Sequence, residues 1–198
     1  MEKIAILADS GCQIPVDSRE NEGIFIAPLT ITMEGKSYLD DIEIHSIDVF
    51  KRMEKDDIMV MTSQPSTGSL QEAVQKIKDQ GYSHVIGLPI ATGLSSTMNG
   101  MKLACDMLEM PVTLVDTKGT ASNQKYLVEV AAKLAREGKS PEEIKDILEK
   151  LVEDSATIIM VPNLEHLKKG GRITPAVAAL AGLLKIVPIM KLNYSLGG

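Results

Sequence analysis

The chain has 198 residues, of which 44% are hydrophobic and 24% are charged, so it is long enough to bury an apolar core without disulfide or metal cross-links. A formal net charge of −6 argues against a protein that binds the phosphate backbone of nucleic acids. With four Tyr, two Phe and no Trp, the chain also offers few rings on which nucleic acid bases could stack.

The spacing of the cysteines and the length of the apolar runs indicate whether the protein binds a metal, forms disulfides or spans a membrane. Cys12 and Cys105 are the only cysteines, and their spacing fits neither a metal site nor a disulfide framework. The N-terminus lacks the apolar region of a signal peptide, and no apolar run reaches membrane-spanning length. The sequence therefore predicts a cytoplasmic protein with no metal and no integral membrane segment. Its eleven Met residues suit core filling or an adaptable apolar surface.

Short apolar runs recur along the chain, each followed by a polar loop and then by residues at helical spacing. This alternation is typical of strand, loop and helix units in a parallel sheet. We therefore predict an α/β domain with a parallel sheet and helices on both faces. The predicted strands are residues 4–8, 58–61, 84–90 and 112–115. One predicted helix begins near Pro15. The others cover about residues 69–80, about residues 97–108 and a stretch that follows residues 116–119 and ends near Gly138.

Residues 24–39 interrupt this pattern and predict a hairpin at the edge of the sheet or inserted into it. Residues 24–33 have the composition of one strand, residues 34–35 that of a turn, and residues 36–39 that of a return strand.

A helix and a new strand near residue 155 predict the end of one domain and the start of another. Ser140 suits a helix N-cap with Pro141 at the first helical position. A strand at residues 158–161 and a short helix at residues 164–169 follow. Because few residues remain after them, the second domain is predicted to be truncated. The predicted domains are residues 1–155, an α/β N-terminal domain, and residues 156–198, the beginning of a second α/β domain with a mixed sheet.

Hydroxyl side chains follow the predicted strands. Loops after parallel strands gather at one edge of a sheet beside helix N-termini, so these hydroxyls are expected to converge on a carboxylate or phosphate. Ser66 and Ser96 equally suit helix N-caps. Thr62 lies well before its helix, and Ser95 follows a Gly-Leu turn that brings backbone close to a ligand. The hydroxyls are those of Ser10, Thr62, Ser63, Ser66, Ser95, Ser96 and Thr117.

Motifs of several common enzyme classes are absent from the sequence. It contains no GxGxxG, GxxxxGK[ST], GxSxG or HExxH, which argues against dinucleotide, nucleoside triphosphate, serine hydrolase and zinc protease sites. His45, His84 and His166 are scattered and read as structural or solvated residues. Residues 168–172, KKGGR, form a basic turn that suits solvent, a phosphate or an acidic partner surface.

Five strings together resemble the DegV family of bacterial fatty-acid-binding proteins. They occur in family order and cover nearly the whole chain, and TSQPS and KKGGRI are the most specific of them. The strings are residues 8–12 (ADSGC), 62–66 (TSQPS), 92–97 (TGLSST), 116–118 (DTK) and 167–173 (LKKGGRI).

The resemblance implies a two-domain α/β protein that holds one long-chain fatty acid, such as palmitate, in a tunnel between its domains. The carboxylate is then expected to accept hydrogen bonds from Thr62 and Ser95. The resemblance further implies that the bound acid is presented to a fatty acid kinase, whose acyl phosphate product enters phospholipid synthesis. On this interpretation the protein is a lipid-binding protein and not an enzyme, with no catalytic residue and no cofactor of its own.

Neighbouring residues are expected to complete the pocket, and two basic residues to meet the partner. Lys169 and Arg172 are the candidates for a partner or phosphate contact, so replacing Arg172 is expected to spare fatty acid binding. The additional pocket residues are Ser10, Ser63, Ser96, Met61 and Met98.

Two departures from the family pattern concern the head group. Relatives supply a histidine from a later C-terminal region, which none of the three histidines here is placed to replace. They also have glycines where this chain has residues 123–125 (NQK). Two other functions stay open: an acyl or phosphoryl transferase whose nucleophile is a loop serine such as Ser95, and a sensor of small anions. A nucleophilic serine needs a positioned base, and a sensor needs no long tunnel.

Overall fold

The computed structural model describes residues 3–56, 58–161, 164–173 and 187–193. Strands and α-helices alternate through most of this part of the chain. The strands are β1 (Ile4–Asp9), β2 (Ile24–Ala27), β3 (Thr30–Met33), β4 (Lys36–Leu39), β5 (Val60–Ser63), β6 (His84–Leu88), β7 (Val112–Leu114), β8 (Ala156–Met160) and β9 (Ile189–Asn193). The helices are α1 (Ser46–Asp56), α2 (Thr67–Asp79), α3 (Thr97–Met107), α4 (Ala121–Arg136), α5 (Pro141–Glu153) and α6 (Glu165–Lys169).

The main sheet has four parallel strands in the order β2-β1-β6-β7. Side chains of β1 alternate between its faces: Ile4 and Ile6 pack with α4 and α5, while Ala5 and Leu7 pack with α2 and α3. Both faces are covered, so every residue of β1 is buried. The predicted parallel sheet with helices on both faces is confirmed.

The strand predicted at residues 24–33 is two strands that belong to different sheets. β2 pairs with β1, whereas β3 pairs antiparallel with β4 and β5 in a second sheet. Pro28, between them, has no backbone N–H to add to a ladder. The N–H of Leu29 donates to Ser10 Oγ at 3.0 Å instead of to a strand. The prediction of a single strand is therefore wrong, while β4 is the predicted return strand.

The strand predicted at residues 58–61 lies in this second sheet, not in the main one. β5 pairs antiparallel with β3, which places Thr62 opposite Ile31. The second sheet packs on α1 through a small core that includes Ile31 and Val49. Thr62 is therefore inside a strand and not in a loop after one. The hydroxyls that were expected to share one sheet edge come instead from two sheets.

Two further differences concern helices. Helix α1 was not predicted, because most of its residues are polar and only a few apolar ones, including Val49 and Met53, pack into the small core. Where Pro15 suggested a helix after β1, the chain makes two 3-10 turns: Glu20–Glu22 and, before Pro15, Ser10–Cys12. The side chain of Asp9 caps the Ser10–Cys12 turn by accepting the N–H of Gly11 at 3.0 Å.

Helix caps follow the sequence at two of three predicted positions. Ser66 Oγ accepts the N–H of Ser69 at 3.0 Å, and Ser140 forms a capping box with Glu143 at the start of α5. Ser96 precedes α3 but makes no side-chain capping hydrogen bond. The predicted capping role is confirmed for Ser66 and Ser140 and wrong for Ser96.

The predicted domain boundary at residue 155 falls between α5 and β8. β8 pairs antiparallel with β9, and α6 lies between them in the chain. Residues 174–186 and 194–198 of the predicted second domain lie outside the described residues. The division into residues 1–155 and 156–198 stays a prediction.

Both cysteines are buried, Cys12 in the first 3-10 turn and Cys105 on α3. Burial raises the pKa of the Cys12 thiol to about 12 and that of Cys105 to about 11, so little of the reactive thiolate exists at neutral pH. We expect neither thiol to react with the reagent DTNB in the folded protein, and both to react after unfolding in urea. Fast labelling of the folded protein would show that one of these regions opens.

Candidate functional site

A mainly apolar cavity of about 430 Å³ lies between the second sheet, α1 and the loop after β6. Its volume is within the range of about 300–1,000 Å³ that is typical of small-molecule sites. The turn after α6 closes a further side. The second sheet and α1 supply most of the apolar wall, through Ile31, Val60, Met61, Val49, Phe50 and Met53.

Polar side chains gather where this cavity meets an adjoining groove of about 510 Å³. Four polar residues line both spaces: Thr62, Ser63, Ser95 and Arg172. The groove is otherwise bounded mainly by polar residues and glycines, including Gln64, Thr92, Gly93, Ser96 and Gly171. The apolar cavity therefore has a polar mouth, and the mouth faces the groove.

Different elements bring Thr62 and Ser95 to this mouth. Thr62 is fixed in β5 by the register with β3. Ser95 lies two residues before α3, and its N–H donates to the carbonyl oxygen of Ala91 at 3.2 Å. The N-terminal end of the helix dipole favours a negative group at this position. The two hydroxyls that the sequence singled out thus line one site.

Arg172 connects the two segments that carry these hydroxyls. Its Nη2 donates to the carbonyl oxygen of Thr62 and its Nε to that of Leu94, each at 3.3 Å. Its Nη1 donates to the carbonyl oxygen of Gly170 at 2.5 Å. The guanidinium places a permanent positive charge at the mouth. A partner contact by Arg172 stays a prediction, but these hydrogen bonds make Arg172 part of the cavity wall.

The loop that carries Ser95 is fastened to neighbouring strand ends. Asp9 Oδ2, at the end of β1, accepts the N–H of Ile90 at 2.7 Å. Thr117, after β7, is fully buried, and its hydroxyl donates to the carbonyl oxygen of Pro89 at 2.7 Å. Thr117 was expected to face a ligand, and it fixes the loop instead.

The carboxylate of Asp9 joins three parts of the chain by hydrogen bonds. Asp9 is fully buried, and its carboxylate accepts hydrogen bonds from Ile90, Gln124 and Gly11. Burial raises the pKa of this carboxyl, and the three hydrogen bonds oppose the rise. Asn has one oxygen for three N–H donors, so we expect Asp9→Asn to lower the free energy of unfolding by about 1–3 kcal/mol.

Urea unfolding measures this change, and Asp48→Asn is the matched control. Asp48 is an exposed carboxylate whose nearest cation, Lys51, is 3.9 Å away, so its loss is expected to change stability by less than about 0.5 kcal/mol. Equal midpoints for Asp9→Asn and the control would contradict the role assigned to the buried carboxylate.

A second carboxylate lines the cavity away from its mouth. Asp40 lines the cavity but not the groove; burial raises its pKa, and Ser10 Oγ donates to it at 2.6 Å. Asp40 directly follows β4, and β3 separates β4 from β5, so two strand spacings, roughly 10 Å, separate it from Thr62. Because Asp40 repels an anion and Arg172 attracts it, an anionic head group is directed to the mouth.

The other predicted pocket residues are divided between the mouth and its surroundings. Ser63 and Met61 line both the cavity and the groove, and Ser96 lines the groove alone.

Three predicted residues lie outside the mouth. The Ser10 hydroxyl is buried and engaged by Asp40 and the N–H of Leu29. Met98 and Lys169 border neither the cavity nor the groove, and Lys169 is exposed.

His166 also lines the cavity, although the sequence pattern did not point to it. It lies on α6, its side chain lines the cavity, and its Nδ1 is buried with no hydrogen-bond partner in the described part of the chain. The sequence pattern favoured a structural or solvated role for His166, and no binding role was predicted for it. His166 lies one helical turn before Gly170 of the basic turn, and this spacing was the feature of the sequence that could have pointed to it.

The chemistry of the site follows from these groups. The hydroxyl of Ser95 lies 2.9 Å from that of Thr97, and a hydroxyl is not a base that activates a serine nucleophile. Within the described ranges, no group of His, Cys, Asp and Glu side chains is arranged to hold a metal ion. No α-helix in those ranges has the length and hydropathy to span a bilayer. The arrangement suits binding of an amphipathic anion.

Fold and site together define an α/β protein with a ligand-sized apolar cavity beside its parallel sheet and polar groups at the cavity mouth. The chain belongs to the DegV family: its residues 3–196 match the family described as "Uncharacterised protein, DegV family". The family membership predicted from the five strings is confirmed. A DegV domain-containing protein of Staphylococcus aureus is 33% identical over 193 residues, which are 98% of this chain and 68% of that protein.

Two solved structures share the fold. One is a DegV family protein from Thermus thermophilus that is described as binding fatty acid. It is 32% identical to this chain, with a TM-score of 0.82 over 96% of this chain and 68% of its own. DegV of Bacillus subtilis, described as a fatty acid binding protein, is 30% identical with a TM-score of 0.84 over 98% of this chain and 69% of its own. The chain thus spans slightly more than two thirds of these relatives.

Proposed function

We propose that this protein binds one long-chain fatty acid, such as palmitate, with its carboxylate between Thr62 and Ser95, and presents that carboxylate to a fatty acid kinase. The proposal rests on one observation: the apolar wall of the cavity ends at two hydroxyls and a guanidinium. The two solved relatives described as fatty acid binding support this class of ligand.

The acyl tail supplies most of the affinity. Burying a methylene contributes about 0.8 kcal/mol, so the roughly 14 methylenes of palmitate offer about 11 kcal/mol before ordering costs. The wall that meets this tail includes Met53 and Met61, whose flexible side chains adapt to different chain shapes. The surplus of Met in the sequence has a use here.

The head group fixes the direction in which the ligand binds. A carboxylate only accepts hydrogen bonds, and Thr62, Ser95 and Arg172 are all donors. A carboxylate buried without such donors costs several kcal/mol, and Asp40 repels it from the part of the cavity away from the mouth. The ligand therefore enters with its carboxylate at the mouth and its tail in the apolar cavity.

The groove supports the proposed presentation to a kinase. It shares Thr62, Ser95 and Arg172 with the cavity, so a phosphoryl donor that is held by a partner reaches the carboxylate from this side. The chain has no nucleotide-binding motif of its own, and catalysis is assigned to the kinase. The function places the protein in the cytoplasm, where ATP and the precursors of phospholipid synthesis are available.

Mass spectrometry of the freshly purified, denatured protein tests the ligand. We expect long-chain fatty acid at close to one molecule per chain, or uptake to that level after incubation with palmitate. A protein that neither contains nor takes up fatty acid would overturn the proposal. Tight binding of inorganic phosphate or acetate by a lipid-free protein would favour the sensor of small anions.

Radiolabelled ATP tests the assignment of catalysis. The palmitate-loaded protein alone is expected to form no acyl phosphate, and addition of a purified bacterial fatty acid kinase is expected to form it. Label transferred by the protein alone, or acylation of Ser95 by an acyl phosphate, would support the transferase instead. Fatty acid binding without kinase-dependent product would reject presentation and leave lipid binding.

A further inference from the structure

Thr97, the first residue of α3, touches the proposed head-group site through a hydroxyl pair. Its Oγ1 lies 2.9 Å from Ser95 Oγ, a distance at which either hydroxyl can be the donor. Thr97 is fully buried, whereas Ser95 lines both the cavity and the groove. One hydroxyl of the pair is therefore sealed in the protein and the other faces the ligand space.

The direction of this hydrogen bond decides what Ser95 offers to a ligand. Ser95 Oγ is the only side-chain hydrogen-bond partner of the Thr97 hydroxyl in the described part of the chain. If Ser95 donated, the buried hydrogen of Thr97 would have no acceptor, which is unfavourable. If Thr97 donates, its hydrogen is satisfied and the hydrogen of Ser95 is free to point into the mouth.

We propose that Thr97 is a positioning residue: its buried hydroxyl donates to Ser95, turns the Ser95 hydrogen toward the ligand and makes the site selective for a head group that only accepts hydrogen bonds. The inference rests on the proposed function and adds the origin of its selectivity. A carboxylate accepts the hydrogen of Ser95, and that hydrogen bond is strengthened because Thr97 donates to the same oxygen. An alcohol head group binds no more tightly when the Ser95 hydrogen points into the mouth, because an alcohol can pair with either a donor or an acceptor.

Thr97→Val removes the hydroxyl and keeps the branched shape, and Thr97→Ser keeps the hydroxyl. We expect Thr97→Val to weaken palmitate binding about two- to tenfold, with 1-hexadecanol binding unchanged within about twofold. Thr97→Ser is expected to bind both ligands like the wild type. Isothermal titration of the delipidated wild type and both variants with each ligand measures the six affinities.

A structural role for Thr97 gives a different pattern. A loss shared equally by palmitate and hexadecanol would overturn the proposal, and so would unchanged palmitate binding by Thr97→Val. If Thr97→Val does not fold, Thr97→Ala serves in the same comparison because it adds no methyl group in place of the hydroxyl.

A mutant cycle with Ser95→Ala tests whether Thr97 acts through Ser95. In the Ser95→Ala background, Thr97→Val is expected to cause no further loss of palmitate affinity; additive losses would overturn the proposal. The wild type distinguishes failure of the proposed function from failure of the role of Thr97. If the wild type binds no palmitate, the proposed function is contradicted. If the wild type binds palmitate and Thr97→Val prefers palmitate over hexadecanol to the same degree, only the role of Thr97 is contradicted.

Discussion

Removing both hydroxyls at the cavity mouth, with Thr62→Val and Ser95→Ala, is expected to abolish the retention of palmitate through purification. A hydrogen bond to a charged group contributes about 1.5–3 kcal/mol, so each single change is expected to weaken binding roughly 10- to 150-fold. The tail keeps its apolar contacts in these variants, so the weakened protein still takes up palmitate at high concentration. Titration with palmitate and mass spectrometry of the purified protein measure the two effects.

Ser96→Ala is the matched control for these variants. Ser96 lines the groove but not the cavity, and its side chain makes no capping hydrogen bond with α3. Its loss is expected to leave palmitate affinity within about twofold of the wild type, as for an exposed side chain away from the ligand. Wild-type retention by both Thr62→Val and Ser95→Ala would remove these two residues from the head-group site.

The main sheet was predictable because its strands have a strong local signal. β1 is an uninterrupted apolar run whose six residues are all buried, as expected for a strand covered on both faces. β5 has a weaker signal: Val60 is partly buried and Met61, Thr62 and Ser63 are exposed. A short run of this kind fits a parallel or an antiparallel neighbour equally well, so the sequence did not reveal that β5 belongs to a second sheet.

The site was predictable as a set of hydroxyls but not as a geometry. Thr62 stood out because it ends an apolar run well before its helix, and Ser95 because it follows a Gly-Leu turn, which are local properties. The family resemblance then assigned both residues to the carboxylate. Arg172 donates to carbonyl groups 110 and 78 residues earlier in the chain. No local pattern records contacts at such separations, and only the folded chain shows that the basic turn forms part of the cavity wall.

Arg172→Ala is expected to weaken palmitate binding at least about tenfold, contrary to what the basic turn alone suggested. The guanidinium contributes a positive charge at the mouth and also bridges the carbonyl oxygens of Thr62 and Leu94. A charge-assisted hydrogen bond is about twice as strong as a neutral one, and removal of the bridge additionally frees β5 from the loop before α3. Palmitate titration measures the loss.

Two companion variants separate charge, bridging and partner contact. Arg172→Lys keeps the charge, but a single ammonium does not reproduce the planar fork that reaches both carbonyls, so its palmitate affinity is expected to lie between those of the wild type and Arg172→Ala. Lys169→Ala removes an exposed cation that borders neither the cavity nor the groove and is expected to bind palmitate normally. If Arg172→Ala retained palmitate yet supported no acyl phosphate formation by the kinase, Arg172 would act at the partner surface and not in the cavity wall.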